Sequence, residues 1–225
     1  MKTLPILFIL ISTPYLHSQK NDSSLRSGQM YNYNTIISSS VNTISANKSN
    51  IEGNRYVFNK TNTSGKIYTS KKTYTANRLN IDALNKDIVI LIGKDSSLIL
   101  EKNKIDSLTI ENRKFCKLAN SSFYEILYRK NDDFLLRDYN CYIKKGRANV
   151  MKGTIENDSY ELTQKYYLYR GKVMSNSFIP TKKAFMEMFK GQRDEIKNFM
   201  KKNRIDLKKD EDIIKLVSHL LNNIK

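Results

Sequence analysis

Residues 123–143, FYEILYRKNDDFLLRDYNCYI, decide the fold of this chain. Two segments rich in aromatic and branched aliphatic residues, 123–128 and 134–143, flank a short polar link around Asn131. This pattern predicts a β-hairpin. Strands joined by so short a link pair antiparallel, because parallel strands need a crossover of a dozen or more residues.

Similar β-rich segments, separated by polar turns, continue on both sides of this hairpin. They cover residues 56–58, 66–69, 73–76, 88–92, 98–100, 107–110, 114–116, 160–169 and 172–174. The run from Ile88 to Ile92 is apolar throughout, as in a central strand that is covered on both faces. Residues 53–179 are therefore predicted to form an antiparallel β-meander, either an open barrel or a sandwich, in a mainly β (α+β) protein.

The apolar residues change to a helical period after Pro180. The stripes are Phe185, Met188 and Phe189; Ile196, Phe199 and Met200; and Ile213, Val217, Leu220 and Ile224. Thr181 can cap the first helix, and Asp210 stands where the last helix begins and its dipole favours negative charge. Residues 180–225 are predicted to be a helical segment that packs on the β domain.

The first eighteen residues resemble a cleavable export signal. Lys2 precedes an apolar run that is too short to span a bilayer as a helix, which takes about 20 residues. We place the cut after Ser18, and we read the Ser- and Asn-rich residues 19–52 as a flexible leader. Tyr31, Tyr33 and Ile36-Ile37 can tether part of this leader as a stray strand. The mature protein is expected in the periplasm or outside the cell.

The formal net charge of +17 favours anionic partners through long-range attraction. For an exported protein these are polymers of the envelope, and no specific nucleic acid is expected. The densest group of cations, here called the basic cluster, consists of Lys197, Lys201, Lys202, Arg204, Lys208 and Lys209. It is a candidate site for an anionic polymer, and the alternative is a set of solvated helix faces that keep the protein soluble.

Cysteine and histidine are too scarce for most catalytic arrangements. Only His219 remains after the signal, which leaves no Ser-His-Asp triad, Cys-His pair or multi-histidine zinc site. No calcium loop or glycine-rich phosphate loop is recognised, and no cofactor or metal is expected. Cys116 and Cys141 form either a disulfide bridge, as export allows, or two buried thiols.

Two carboxylates remain as candidates for glycoside hydrolysis, which needs a pair of acids about 5–10 Å apart. Glu125 shares a strand face with Phe123 if the predicted hairpin alternates regularly, and Asp82 is the partner we nominate. The structural alternative is that Asp82 caps a turn and that Glu125 faces solvent.

Several short motifs follow one another in a recognisable order. They are GNRYVF from Gly53, GKIY from Gly65, LNID from Leu79, IDSLTI from Ile105 and FYEIL from Phe123, followed by two Lys-rich helical stripes. This order resembles a group of uncharacterised exported β-rich proteins of Bacteroidetes-type bacteria, although Ile81 replaces the usual aromatic residue. The resemblance implies export and a strand-rich middle, and it transfers no catalytic residue.

The sequence therefore predicts an exported, non-enzymatic envelope protein that binds an anionic or a protein partner. The alternative is a carboxylate-dependent glycan hydrolase acting through Glu125 and Asp82.

Overall fold

The computed structural model describes residues 37–43, 51–92, 96–118, 122–149 and 154–223. The predicted signal, its cut after Ser18 and most of the predicted leader lie outside these ranges. The prediction of a mainly β protein with antiparallel sheets and C-terminal helices is confirmed.

Strands are numbered along the chain. They are β1 (Ile37–Thr43), β2 (Ser64–Tyr68), β3 (Thr73–Asn77), β4 (Leu79–Asp82), β5 (Asp87–Leu91), β6 (Ser96–Leu100), β7 (Ser107–Ile110), β8 (Arg113–Lys117), β9 (Phe123–Lys130), β10 (Asp133–Lys144), β11 (Ala148–Asn149), β12 (Thr154–Ile155), β13 (Ser159–Arg170) and β14 (Val173–Met174). The large sheet has the order β14-β13-β10-β9-β8-β7-β2-β3, and the small sheet has the order β1-β6-β5-β4. Strands β11 and β12 pair with each other.

The two sheets are joined at a sharp corner between β3 and β4. Arg78, the single residue between these strands, has a left-handed φ of 61°, so the chain leaves the large sheet and enters the small one within one residue. Gly65 allows the close packing at this corner. A Cβ atom there would lie 2.5 Å from the carbonyl oxygen of Thr109 and 2.7 Å from Leu79 Cδ2.

The small sheet differs from the prediction at both of its edges. Strand β1 lies within the range predicted as a flexible leader, and it pairs antiparallel with β6. The LNID motif forms β4, whereas residues 56–58 make only an isolated bridge from Tyr56 to Asp82. Strand β5 is an inner strand in which Ile88, Val89, Ile90 and Leu91 are buried, as the apolar run predicts.

The first hydrophobic core contains residues from both sheets and is here called the sheet core. Its buried members are Ile67, Ala76, Leu79, Ile81, Ala83, Ile88, Ile90, Leu98, Leu100, Ile105, Leu108, Ile110, Phe115 and Tyr139.

Three helices follow the strands, namely α1 (Lys182–Met188), α2 (Arg193–Asn203) and α3 (Asp210–Asn222). Thr181 caps α1 as predicted, because its Oγ1 accepts a hydrogen bond of 3.2 Å from the Ala184 amide. The helices pack against residues of β9, β10 and β13. The helix core there contains Leu135, Tyr166, Leu168, Phe185, Phe189, Ile196, Ile213, Leu216, Val217, Leu220 and Leu221.

None of the helices in the described ranges has the length and apolar character required to cross a membrane.

Candidate functional site

A group of ionised side chains lies between the two cores. Along β10, the alternate residues Leu135, Arg137 and Tyr139 face inward; Leu135 belongs to the helix core and Tyr139 to the sheet core. Arg137 lies between them, and Glu125 of β9 is directly opposite it in the ladder. We call Arg113, Glu125, Arg137, Tyr139 and Asp210 the ion network.

Glu125 is the centre of this network. Its side chain is 4% exposed, and it accepts hydrogen bonds from Arg113 Nε at 2.7 Å and Arg113 Nη2 at 2.8 Å. Its Oε2 also accepts from Arg137 Nε at 2.9 Å and from the Tyr139 hydroxyl at 2.5 Å. Phe123 and Glu125 share a strand face as expected, and the aromatic side chain that contacts Glu125 is that of Tyr139. The alternative that Glu125 faces solvent is wrong.

Arg137 connects this carboxylate to the helices. Its side chain is 8% exposed, and its Nη1 lies 2.7 Å from each carboxylate oxygen of Asp210, the first residue of α3. Gln164 Oε1 lies 3.4 Å from the same nitrogen. The guanidinium also lies over the ring of Tyr139, 5.3 Å from its centroid. Asp210 is predicted only as the start of a helix, and Arg113, Arg137 and Tyr139 are not among the residues predicted for a site.

The protonation states in the network follow from these contacts. Burial alone raises the pKa of Glu125, but the hydrogen bonds from Arg113 and the charge of Arg137 outweigh burial and lower it. Burial and the adjacent Glu125 charge both raise the pKa of Tyr139, so its hydroxyl keeps its proton. Glu125 is therefore ionised at neutral pH and holds no proton that it can donate as a general acid.

Two clefts open on either side of the ion pair between Arg137 and Asp210. The first, here called the Lys208 cleft, has a volume of about 470 Å³ and is lined by Arg137, Gln164, Tyr166, Lys208, Lys209, Asp210 and Glu211. The second, about 400 Å³, is lined by residues of β8, β9 and α3 that include Arg113 and Ile214.

Asp82, the nominated partner of Glu125, has a structural environment of its own. It is 1% exposed and pairs with Arg55 Nη2 at 3.0 Å. Its Oδ1 accepts hydrogen bonds from the amides of Leu84 at 3.0 Å and Asn85 at 3.2 Å, so Asp82 caps the turn after β4. The turn-capping alternative for Asp82 is confirmed.

Asn80 explains the polar centre of the LNID motif. It is fully buried, donates from Nδ2 to the Phe58 carbonyl oxygen at 2.8 Å, and accepts from the Phe58 amide at 3.1 Å. The side-chain amide of Asn80 therefore pairs the backbone of a segment that is not itself part of a strand. Leu79 and Ile81 on either side belong to the sheet core. All four residues of the motif thus have structural partners.

The basic cluster lies on α2 and the loop between α2 and α3, and all six side chains are exposed. Lys201 and Lys202 are in the last turn of α2, where the helix dipole favours positive charge. Arg204 follows with a left-handed φ of 51°, while Lys208 and Lys209 line the Lys208 cleft.

The two cysteines are free thiols, and each is half-buried. Cys116 is on β8 and Cys141 is on β10, with β9 between them. Two strand spacings amount to about 9–10 Å, which exceeds the reach of a disulfide. Of the two alternatives, the structure therefore has two separate thiols, and burial raises the pKa of the Cys116 thiol.

No group of three or more acidic, histidine or cysteine side chains within the described ranges is arranged to hold a metal ion. His219 lies on α3, stacked on Phe199 with 3.9 Å between ring centroids, and its Nε2 is 3.0 Å from Glu195 Oε1. Its neighbours thus account for its position in the helical layer.

Comparison of the chain with protein-family models, with curated proteins and with solved structures gives no match. The resemblance to exported β-rich bacterial proteins stays a prediction. The geometry and the charges described above are therefore what point to a function.

Proposed function

We propose that this protein is an exported, non-enzymatic binding protein of the bacterial envelope whose ligand is an anionic polymer. The observation that carries the proposal is the exposure of five cations within the nine residues 201–209. They are Lys201, Lys202, Arg204, Lys208 and Lys209. None of the five has an ion-pair partner among the described residues, whereas Lys197 at the edge of the cluster pairs with Asp194 at 3.0 Å.

The arrangement of these cations suits a polymer better than a single small anion. They follow the end of α2 and the loop before α3, so their charges are distributed along a stretch of chain and are not gathered at one point. Each cation that meets an anionic group releases a bound counterion, and this makes the affinity depend on salt. The excess of positive charge over the whole chain adds long-range attraction toward such a ligand.

The state of the two candidate catalytic acids also supports a non-enzymatic role. Glu125 is ionised and receives four hydrogen bonds, and Asp82 caps a turn and pairs with Arg55. A glycosidase acid needs a raised pKa, whereas the pKa of Glu125 is lowered.

The proposal is tested by retention on heparin and by sedimentation with vesicles that contain phosphatidylglycerol, each over a range of salt. The test variant replaces Lys201, Lys202, Lys208 and Lys209 with Gln. The control variant replaces Lys60, Lys66, Lys71 and Lys72, which are also exposed and carry the same total charge. We expect the slope of log affinity against log salt to become shallower by up to about four in the test variant, about one per lost contact.

Equal loss of retention in the two variants would refute the cluster as the binding surface, because net charge alone would then explain binding. Shortening of the heparin chains by the wild-type protein would contradict the non-enzymatic part of the proposal. If the test variant loses more affinity for heparin than for vesicles, the ligand is a glycan-type polymer. If it loses more affinity for vesicles, the ligand is a lipid surface and the polymer is refuted.

A further inference from the structure

The Lys208 cleft combines a buried cation with two exposed ones. Arg137 forms its floor, the Tyr166 hydroxyl and Gln164 stand beside it, and Lys208 and Lys209 line the same opening. Both carboxylate oxygens of Asp210 lie 2.7 Å from Arg137 Nη1, and Tyr166 donates toward Oδ1 over 3.5 Å. A carboxylate of the chain itself therefore occupies a site that is built for an anion.

This carboxylate is more exposed to solvent than the guanidinium that it pairs with. The Asp210 side chain is 43% exposed, whereas that of Arg137 is 8% exposed. Helix α3 does not depend on Asp210 for its position, because five of its residues are buried in the helix core. They are Ile213, Leu216, Val217, Leu220 and Leu221. The first turn can therefore release the carboxylate while the rest of the helix stays packed.

An exchange of anions at this position preserves the charge balance of the ion network. The network pairs the two guanidiniums of Arg113 and Arg137 with the two carboxylates of Glu125 and Asp210. Arg137 Nε and Nη2 remain bonded to Glu125 when only the partner of Nη1 changes. A buried charge is costly without a partner, so Asp210 can leave only if another anion takes its place.

We propose that the Lys208 cleft is the specific site for a carboxylate or phosphate group of the anionic polymer, and that this group replaces Asp210 on Arg137. The inference rests on the proposed function, and it states where one anionic group of the polymer binds beside the basic cluster. Lys208 and Lys209 then neutralise the charge that a phosphate carries in excess of the displaced carboxylate.

The test compares two single variants that remove one negative charge from the same cleft. Asp210→Ala removes the carboxylate on Arg137, whereas Glu211→Ala removes a neighbouring acid of the same helical turn. Calorimetric titration of the wild-type protein and of both variants uses inorganic phosphate in one arm and acetate in the other. We expect Asp210→Ala to bind at least one of the two anions about tenfold more tightly than wild type, and Glu211→Ala to change its affinity less than about threefold.

Equal affinities in Asp210→Ala and Glu211→Ala would overturn the inference, and so would an Asp210→Ala protein that binds neither anion. If Asp210→Ala melts too low for titration, Asp210→Ser serves in its place, because serine is favoured at the start of a helix and its short side chain leaves the position on Arg137 open. A larger gain in affinity for phosphate than for acetate would identify phosphate as the bound group. A larger gain for acetate would identify a carboxylate.

The two proposals fail in distinguishable ways. If heparin retention depends on the basic cluster while the two alanine variants bind anions alike, the proposed function stands and the cleft is only part of a structural contact. If heparin retention does not change when the basic cluster is removed, the proposed function fails. An anionic polymer is then also excluded as the ligand of the cleft.

Discussion

Replacement of Glu125 by Gln tests whether the negative charge of Glu125 in the ion network stabilises the folded protein. The substitution keeps the size of the side chain and removes the carboxylate between Arg113 and Arg137. It also puts an NH2 group where an oxygen now accepts. At the Oε1 position this group meets Arg113 Nε, and at Oε2 it meets donors from Arg113, Arg137 and Tyr139. At least one donor therefore loses its partner in either orientation.

The expected cost follows from the burial of the groups. Glu125 and Arg137 are 4% and 8% exposed, so the substitution leaves a buried guanidinium without its main counter-charge. Removal of one partner from such a pair costs about 3–5 kcal/mol. In a chain of this length each kcal/mol lowers the melting temperature by about 2–4 °C, so we expect a decrease of roughly 6–20 °C.

Urea denaturation and thermal melting, followed by circular dichroism, measure this cost. Glu187→Gln is the matched control, because Glu187 is 59% exposed and its nearest cation, Lys183, is 3.9 Å away. A surface change of this kind stays within about 0.5 kcal/mol of wild type. A Glu125→Gln protein within about 1 kcal/mol of wild type would refute the reasoning, since the carboxylate would then contribute nothing that an amide cannot replace.

The same variant predicts a pH dependence whose sign follows from the pKa of Glu125. Burial raises this pKa, but the bonds from Arg113 and the charge of Arg137 lower it below its value in the unfolded chain. The stabilisation is therefore complete above the unfolded value of about 4.3, and it is lost as the pH falls through the lower folded value. The stability difference between wild type and Glu125→Gln should shrink below about pH 4.3, and a difference that is constant down to pH 2 would contradict the assignment.

Two further predictions concern parts of the molecule away from the network. Asn80→Ala should lower the free energy of unfolding, measured by urea titration, by at least about 2 kcal/mol, because two backbone groups of Phe58 lose their partner. Asn77→Ala, at the exposed end of β3, is the control and should be near neutral in the same titration. Cys116 and Cys141 should both react with iodoacetamide in the denatured protein without prior reduction, as intact mass would show; alkylation only after a reductant would mean that a bridge exists.

The fold could be predicted from the sequence where the pattern is local. The polar link around Asn131 identified the hairpin, the apolar run from Ile88 identified an inner strand, and the stripes after Pro180 identified the helices. For β1 the pattern indicates only a stray strand at Ile36-Ile37. Its extent and its pairing could not be found in this way, because the sequence from Ile37 to Thr43 is mostly Ser, Asn and Thr, and its partner β6 is over fifty residues away. The LNID strand was missed because its polar residues bond to an irregular segment, which periodicity does not reveal.

Only part of the ion network could be predicted from the sequence, for a related reason. The sequence does carry a signal, since Glu125 and Arg137 each interrupt the apolar side of a predicted strand. Opposite charges at inward positions of neighbouring strands indicate a buried pair. Asp210 has no such signal, because it lies 73 residues beyond Arg137 and is brought there only by the packing of α3.

The pairing of Glu125 with Arg137 also depends on a local irregularity that a regular hairpin would not contain. From the turn at Asn131, Lys130 pairs with Asp133 and Tyr128 with Leu135, but Ile126 then pairs with Leu136, so Leu127 is an extra residue in β9. Without this bulge, Glu125 would stand opposite Asp138, on the other face of the sheet and beside a like charge. The bulge turns Glu125 inward, opposite Arg137. The ion network is therefore specified by one extra residue in β9 as much as by the charges themselves.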